Sequence, residues 1–439
     1  MRRSPATALG TRTVELYLLD WANLLLRWLH LIVGIAWIGS SFYFVWLDNS
    51  LEPVPASDEA ARRDGVGGTL WSVHGGGFYN ARKFPVGPPR MPEHLHWFYW
   101  ESYSTWLSGF ALFVLLYLWN AGTFLVDASR MAWSPAAAGA AALGFLVAGW
   151  LVYDQICRRV GQVRAADGTL QTGRDAWVLM LLAVYTVAAT WLACRLFAGR
   201  AAFLLMGAML ATIMSANVFF WIIPGQRQVV ADLRAGRPLV ALFGQRGKQR
   251  SVHNTYFTLP VIFAMLSNHY GFLYTHKYNW AVLILMMLAG ALIRQFFVQR
   301  HGWHHGRAAN PWPYAAIGVA IIVIVIAGLK AMEPAPAPVA TASTTNSVAA
   351  SGQPALESGP NNFKTVNQVL EQRCLMCHGA QVQMKNVRLD TPEAVKTNAQ
   401  MLYQQVVVLR QMPMNNATGI TEAERALIGE WFKAGARTQ

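Results

Sequence analysis

Charge is scarce in this chain. Of 439 residues only 13% are Asp, Glu, Lys or Arg, about half the share of roughly 25% usual in soluble globular proteins. That excludes the two or three ordinary water-soluble domains for which the length leaves room. Acids are scarcest, 22 against 36 basic residues, and the resulting net charge of +14 raises the question of nucleic acid. The basic residues sit in short connections between apolar runs, where they orient a membrane chain, so no nucleic-acid partner is expected. Cysteine is limited to four residues, Cys157 and Cys194 standing alone and Cys374 and Cys377 forming a close pair. No disulfide framework follows from that spacing.

What the sequence has in abundance is clustered apolar residues, 54% of the whole. Runs near 21–47, 98–121, 135–155, 176–197, 201–224, 255–275, 279–298 and 313–332 approach the ~20 residues that cross a ~30 Å hydrocarbon core. The expected fold is all-α: a polytopic membrane bundle of about eight spans over residues 1–332, embedded in a lipid bilayer. The first run continues through Trp37, Phe42 and Phe44 without a small-residue cleavage site, so it reads as a retained helix. An even number of spans puts both termini on one side. Connections 48–97, 156–175, 225–254 and 299–312 hold 17 basic residues, more than twice the number in the remaining connections. The positive-inside rule then assigns those four to the cytoplasm and both termini to the periplasmic side of a bacterial inner membrane.

After Lys330 the texture changes. Residues 333–362 are rich in Pro, Ala, Ser and Thr without aromatics, the composition of a flexible linker. Residues 363–439 alternate apolar and charged positions in short helical patterns, as expected of a small soluble α-helical domain. That domain opens with Cys374-Leu375-Met376-Cys377-His378. Two thiols one turn apart can each join a haem vinyl group, and the adjacent imidazole can take the iron. A C-x-x-C run also serves redox dithiols and zinc sites, but the contiguous histidine, the periplasmic placement and the small domain favour a single covalent haem c. The distal ligand is expected from Gln411-Met412-Pro413-Met414, with Met412, the residue before proline, chosen over Met414. The whole 363–439 segment is thus read as a cytochrome c domain.

Ionisable residues inside spans are costly and mark function. His30 in the first span and His269 near the outer end of the sixth could bracket a second haem, of b type. Other candidates gather toward the cytoplasmic ends. His74-Gly75-Gly76-Gly77-Phe78-Tyr79 offers a glycine run able to wrap a planar ligand, and His94-Leu95-His96-Trp97 leads to Glu101. Gln226-Arg227 could grip a flat, oxygen-rich anion through parallel hydrogen bonds, with His253-Asn254 close behind in sequence. His301, His304 and His305 have metal-ligand character but lack acidic or thiolate neighbours in their loop.

Taken together, Arg27-Trp28-Leu29-His30, Trp37-Ile38-Gly39-Ser40-Ser41, the His74 glycine run, Leu95-His96-Trp97-Phe98 with Glu101, and the 254–257 and 267–270 segments resemble the membrane-bound bacterial urate hydroxylases with a fused C-terminal cytochrome c domain. The resemblance covers nearly the whole chain except the linker. It implies oxidation of urate to 5-hydroxyisourate with water and without hydrogen peroxide. Electrons would pass through haem c to a periplasmic cytochrome c or a terminal oxidase. Within that reading His96 or His253 accepts protons, with Glu101 and Arg227 also in the catalytic group. His74, Gly76, Tyr79, Gln226, Arg227 and Asn254 contact urate. Other readings are a quinol-to-cytochrome c enzyme, a non-enzymatic haem-relay subunit and a metal transporter of similar helix texture.

Overall fold

In a computed structural model of the chain, residues 5–127, 130–332, 363–380, 384, 387–408 and 410–438 are described; the expected linker at 333–362 lies outside them. The chain is mostly helical and divides into two compact units. The first comprises Met1–Leu266 with Trp280–Val323, and the second Ser267–Asn279 with Ile324–Gln439.

The first unit opens with α1 (Pro5–Ser50), followed by a short α2 (Glu59–Arg63) and a hairpin of β1 (Gly68–His74) and β2 (Gly77–Lys83). Next come α3 (Trp100–Phe113), which runs on as a π-helical segment over Val114–Leu118, then α4 (Ala121–Phe124) and α5 (Pro135–Arg159). A small ribbon of β3 (Gln162–Arg164) and β4 (Leu170–Thr172) leads to α6 (Asp175–Leu196), α7 (Gly199–Asn217), a second π segment over Val218–Ile222, and α8 (Ile223–Arg234). After these come α9 (Ala241–Ser267), α10 (Gly271–Tyr274), which belongs to the second unit, α11 (Asn279–His304) and α12 (Trp312–Ala331), whose part from Ile324 onward also belongs to the second unit.

Among the described residues six helical stretches, Trp21–Ser50, Pro135–Arg159, Asp175–Leu196, Gly199–Arg234, Asn279–His304 and Trp312–Ala331, are long and apolar enough to cross a membrane. The other two expected spans are also helical but differ in character. The α3 helix is short and passes into its π segment, while α9 starts fourteen residues earlier than the apolar run and carries Arg246, Lys248 and Arg250 on its first turns. An isolated apolar helix wants no partner in lipid, so packing relies on small residues that bring backbones close. At Gly149 on α5 an added Cβ would meet Met209 Cγ of α7 at 2.3 Å, and at Gly207 it would meet the Ala264 Cβ of α9 at 3.0 Å. The α7 helix is accordingly the buried centre, with Ala201, Ala202, Phe203, Leu205, Met206, Met209 and Leu210 at or below 2% exposure. By contrast α1 turns Leu24, Trp28, Leu31 and Ile35 outward. Local caps fit the sequence: the Ser134 hydroxyl accepts the N–H of Ala137 at 3.2 Å, with Pro135 in the first turn of α5, where its missing N–H costs nothing.

Two small antiparallel ribbons accompany the predominantly helical fold. In the first, His74 pairs with Gly77, leaving Gly75 and Gly76 as a two-residue turn at φ 58° and 79°. Positive φ at both positions is the type I′ geometry that matches strand twist, so the glycine run closes a hairpin rather than a loop. Lys83 Nζ binds Asp48 Oδ1 at 2.8 Å, tying the hairpin to the end of α1.

In the second unit α13 (Phe363–Arg373), α14 (Leu375–His378), α15 (Pro392–Leu402), a π segment at Tyr403–Val408, a 3-10 turn at Met414–Asn416 and α16 (Glu422–Lys433) follow in order. Leu370, Val395, Ile428 and Trp431 form their buried core, with Met412 packed against it. The α16 helix starts with a capping box, Thr421 and Glu424 exchanging side-chain and backbone hydrogen bonds.

Candidate functional site

A polar network runs through the buried centre of the first unit. It is built from α5 (Tyr153, Asp154, Cys157), the α7 terminus and its π segment (Asn217, Trp221), and α9 (Arg250, His253, Asn254). Arg250 donates from Nη2 to Asp154 Oδ1 at 2.7 Å and from Nη1 to Asn217 Oδ1 at 2.8 Å. Its guanidinium lies 4.5 Å from the Trp221 ring centroid, and Arg246 and Arg158 flank the same ring at 5.3 and 5.8 Å. Asn217 Nδ2 reaches both the Tyr153 hydroxyl, at 2.9 Å, and Asn254 Oδ1, at 3.0 Å. The Tyr153 hydroxyl is 2.8 Å from His253 Nδ1, and Cys157 Sγ is 3.9 Å from the same nitrogen. Tyr153, Asp154, Asn217, Arg250, His253 and Asn254 thus each have a polar partner, as a buried network requires. Chemically it joins an imidazole to a phenol within hydrogen-bond distance, so that the two can share a proton. The π segment beside it is of the kind that recurs at functional sites.

A second buried cation lies on α11. Arg294 is 1% exposed and its guanidinium carbon sits 3.6 Å from the Phe42 ring centroid of α1. Its Nε reaches the Thr255 carbonyl only at 3.4 Å, and Nη2 has no hydrogen-bond partner. Nearby, the Tyr256 hydroxyl donates to Gln295 Oε1.

The residues singled out from sequence divide among these places. His253 and Asn254 belong to the buried network. Arg227 is exposed on α8, its guanidinium 5.9 and 5.8 Å from the rings of Trp97 and Tyr99, with Gln226 exposed beside it. His96 is exposed and meets Phe98 edge-on at 4.5 Å, and Glu101 lies in the first turn of α3. His74, Gly76 and Tyr79 are exposed on the hairpin. His30 Nδ1 is 3.0 Å from the Ser108 hydroxyl, in a space kept open by Gly109, where a Cβ would meet the ring at 2.8 Å. His269 belongs to the second unit, where its carbonyl accepts from Gln411 Nε2 at 2.5 Å. For His301, His304 and His305, among the described residues no group of three or more His, Cys, Asp or Glu side chains is arranged to hold a metal ion. Asp154, Asn217, Arg250 and Arg294 escaped the sequence reading. A lone Asp and a lone Arg inside apolar runs were the signal that could have found two of them.

In the C-terminal unit Cys374 is buried, Cys377 is half-buried, and both are free thiols. His378 Nδ1 is 3.3 Å from the Val387 carbonyl, an orientation that leaves Nε2 free to serve as a ligand. Burial pushes the Cys374 thiol up to about 12, the reverse of the lowered value a redox dithiol needs. Cys374 and Met412 lie on one core, so two thiols, an oriented imidazole and a thioether make a donor set that fits haem c.

The sequence model of the family described as Urate oxidase N-terminal matches residues 16–328, which contain both buried cations, the hairpin and Arg227. No curated protein and no solved structure matches the chain.

Proposed function

Because the chain belongs to the urate oxidase N-terminal family, we propose that it is a membrane-bound oxidoreductase that converts urate to 5-hydroxyisourate and forms no hydrogen peroxide. The family match over 16–328 carries the substrate, and the Cys374-Leu375-Met376-Cys377-His378 run beyond it carries the route for electrons. The balance is one urate plus one water giving one 5-hydroxyisourate, two protons and two electrons, the new C–O bond forming at C5. The chain must therefore bind a planar monoanion, accept protons and deliver electrons to an acceptor other than dioxygen.

The proposed architecture has eight spans, α3 and α9 joining the six apolar helices, with both termini and a cytochrome c domain in the periplasm. His253, held by Tyr153 in the buried network, is the proton acceptor this reading favours, with His96 as the exposed alternative. Arg227, backed by Trp97 and Tyr99, with Gln226, attracts the anion on the cytoplasmic side. Glu101, Asn254 and the hairpin residues His74, Gly76 and Tyr79 complete the site as read from the family resemblance. A haem c would be held by Cys374, Cys377, His378 and Met412, and when bound it supplies a one-electron acceptor. A b-type haem held by His30 and His269 is a further part of the proposal, in keeping with a two-electron substrate.

Anaerobic addition of urate to the purified protein tests the function. Urate should reduce the haem c absorption band, and product should appear without peroxide. Reduction by quinol but not by urate would overturn the proposal in favour of a quinol-to-cytochrome enzyme, and no reduction by either would favour a relay subunit. A pyridine haemochrome assay that finds only c-type haem would remove His30 and His269 as ligands.

A further inference from the structure

Among the described residues of the first unit two arginines are fully buried, each at 1% exposure, and they are treated differently. Arg250 has its charge met by Asp154 at 2.7 Å and its remaining fork by Asn217. Arg294 has neither. It lies ten residues before the end of α11 at His304, about 15 Å along the axis, well inside an apolar helix. Guanidinium is always protonated in proteins, and an uncompensated charge at such a depth costs several kcal/mol. The Phe42 ring face offsets part of this through its quadrupole. The long contact to the Thr255 carbonyl and the open Nη2 leave the rest unmet. Among the described residues no carboxylate pairs with Arg294, so its charge there calls for an anion.

We propose that Arg294 is the anchor for the substrate anion inside the membrane unit, its unpaired Nη2 donating to an oxygen of a planar purine monoanion. This deepens the urate reading and rests on it. The chemistry of the place selects for that class. A guanidinium fork favours an oxygen-rich planar anion over a spherical ion. The α9 helix connects this anchor with the buried polar network, since His253 and Asn254 immediately precede Thr255 and Tyr256 in sequence. Arg227 then attracts urate from solution, and Arg294 holds it.

The test is equilibrium binding of urate to the full-length holoprotein in detergent, pre-reduced so that no turnover occurs. Arg294→Gln should raise the urate Kd by roughly ten- to a hundredfold, the loss of one charge-assisted hydrogen bond. Arg294→Lys should raise it less, and binding of caffeine, a neutral purine, should not change with either. Folded Arg294→Gln protein that binds urate as tightly as wild type overturns the inference. Wild-type protein that neither binds urate nor is reduced by it overturns the functional reading instead. Should neither variant accumulate, wild type decides: urate, and not caffeine, must raise its melting temperature by mass action, and absence of that selectivity overturns the proposal.

Discussion

Removing Asp154 tests how the buried network is held. Its carboxylate faces Arg250 at 2.7 Å, with both side chains almost fully buried, and Arg158 at 3.9 Å. Asp154→Ala would leave Arg250 buried beside Arg246 and Arg158 around Trp221 with no carboxylate in the group. Breaking a buried pair by deleting one partner costs about 3–5 kcal/mol, because the other charge is left uncompensated. At roughly 2–4 °C per kcal/mol for a domain of a few hundred residues, the melting temperature should fall by about 6–20 °C. Scanning fluorimetry in detergent measures this through the tryptophans. Replacing both partners with apolar residues, as in Asp154→Leu with Arg250→Met, should recover most of the loss, since an intact buried pair is worth little more than a hydrophobic isostere. A single variant that melts with wild type, or a double variant that loses the sum of both singles, would show that the pair is not coupled and refute the reasoning.

Two further outcomes follow from local geometry. Gly109→Ala places a Cβ 2.8 Å from His30 Cε1, an overpacking that should cost about 1–3 kcal/mol; thermal melts should show the cost, and adding His30→Ala should suppress it. In the C-terminal unit, burial pushes the Glu424 carboxyl upward, but hydrogen bonds from the Thr421 N–H and from Arg373 more than offset it and hold it below the ordinary range. A depressed carboxyl contributes stability that is present above its unfolded value, near ~4.3, and is lost as pH falls through the folded value. Circular dichroism melts from neutral to acid pH should therefore show that unit weakening only below that range, and Glu424→Gln should remove this component.

The long apolar helices were legible because ~20 consecutive apolar residues have few other uses. The terminal Cys374–His378 run stands out because its pattern is local to five residues. The start of α9 was not, for a reason visible at Arg250. Its charge, with those of Arg246 and Lys248, made residues 241–254 look like a cytoplasmic connection, and it was counted toward topology. In the folded chain it is buried against Asp154 and Trp221, a pairing between residues 96 apart that no local pattern encodes. The glycine run after His74 was ambiguous for the opposite reason: flexibility and a type I′ turn share a composition, and only the pairing of β1 with β2 separates them.

The π segment at Val218–Ile222 acts as a phase shift along the helix from Gly199 to Arg234. Each α-helical residue advances the azimuth by about 100°, and a π turn accommodates one extra residue. Upstream of it, Asn217 points into the network; downstream, Asp232 is buried against Gln228 and Arg237. Those two polar faces are offset by the insertion, so the chain there meters angle rather than length. Deleting one residue would leave the span long enough for a bilayer, yet it would turn the two stripes against each other.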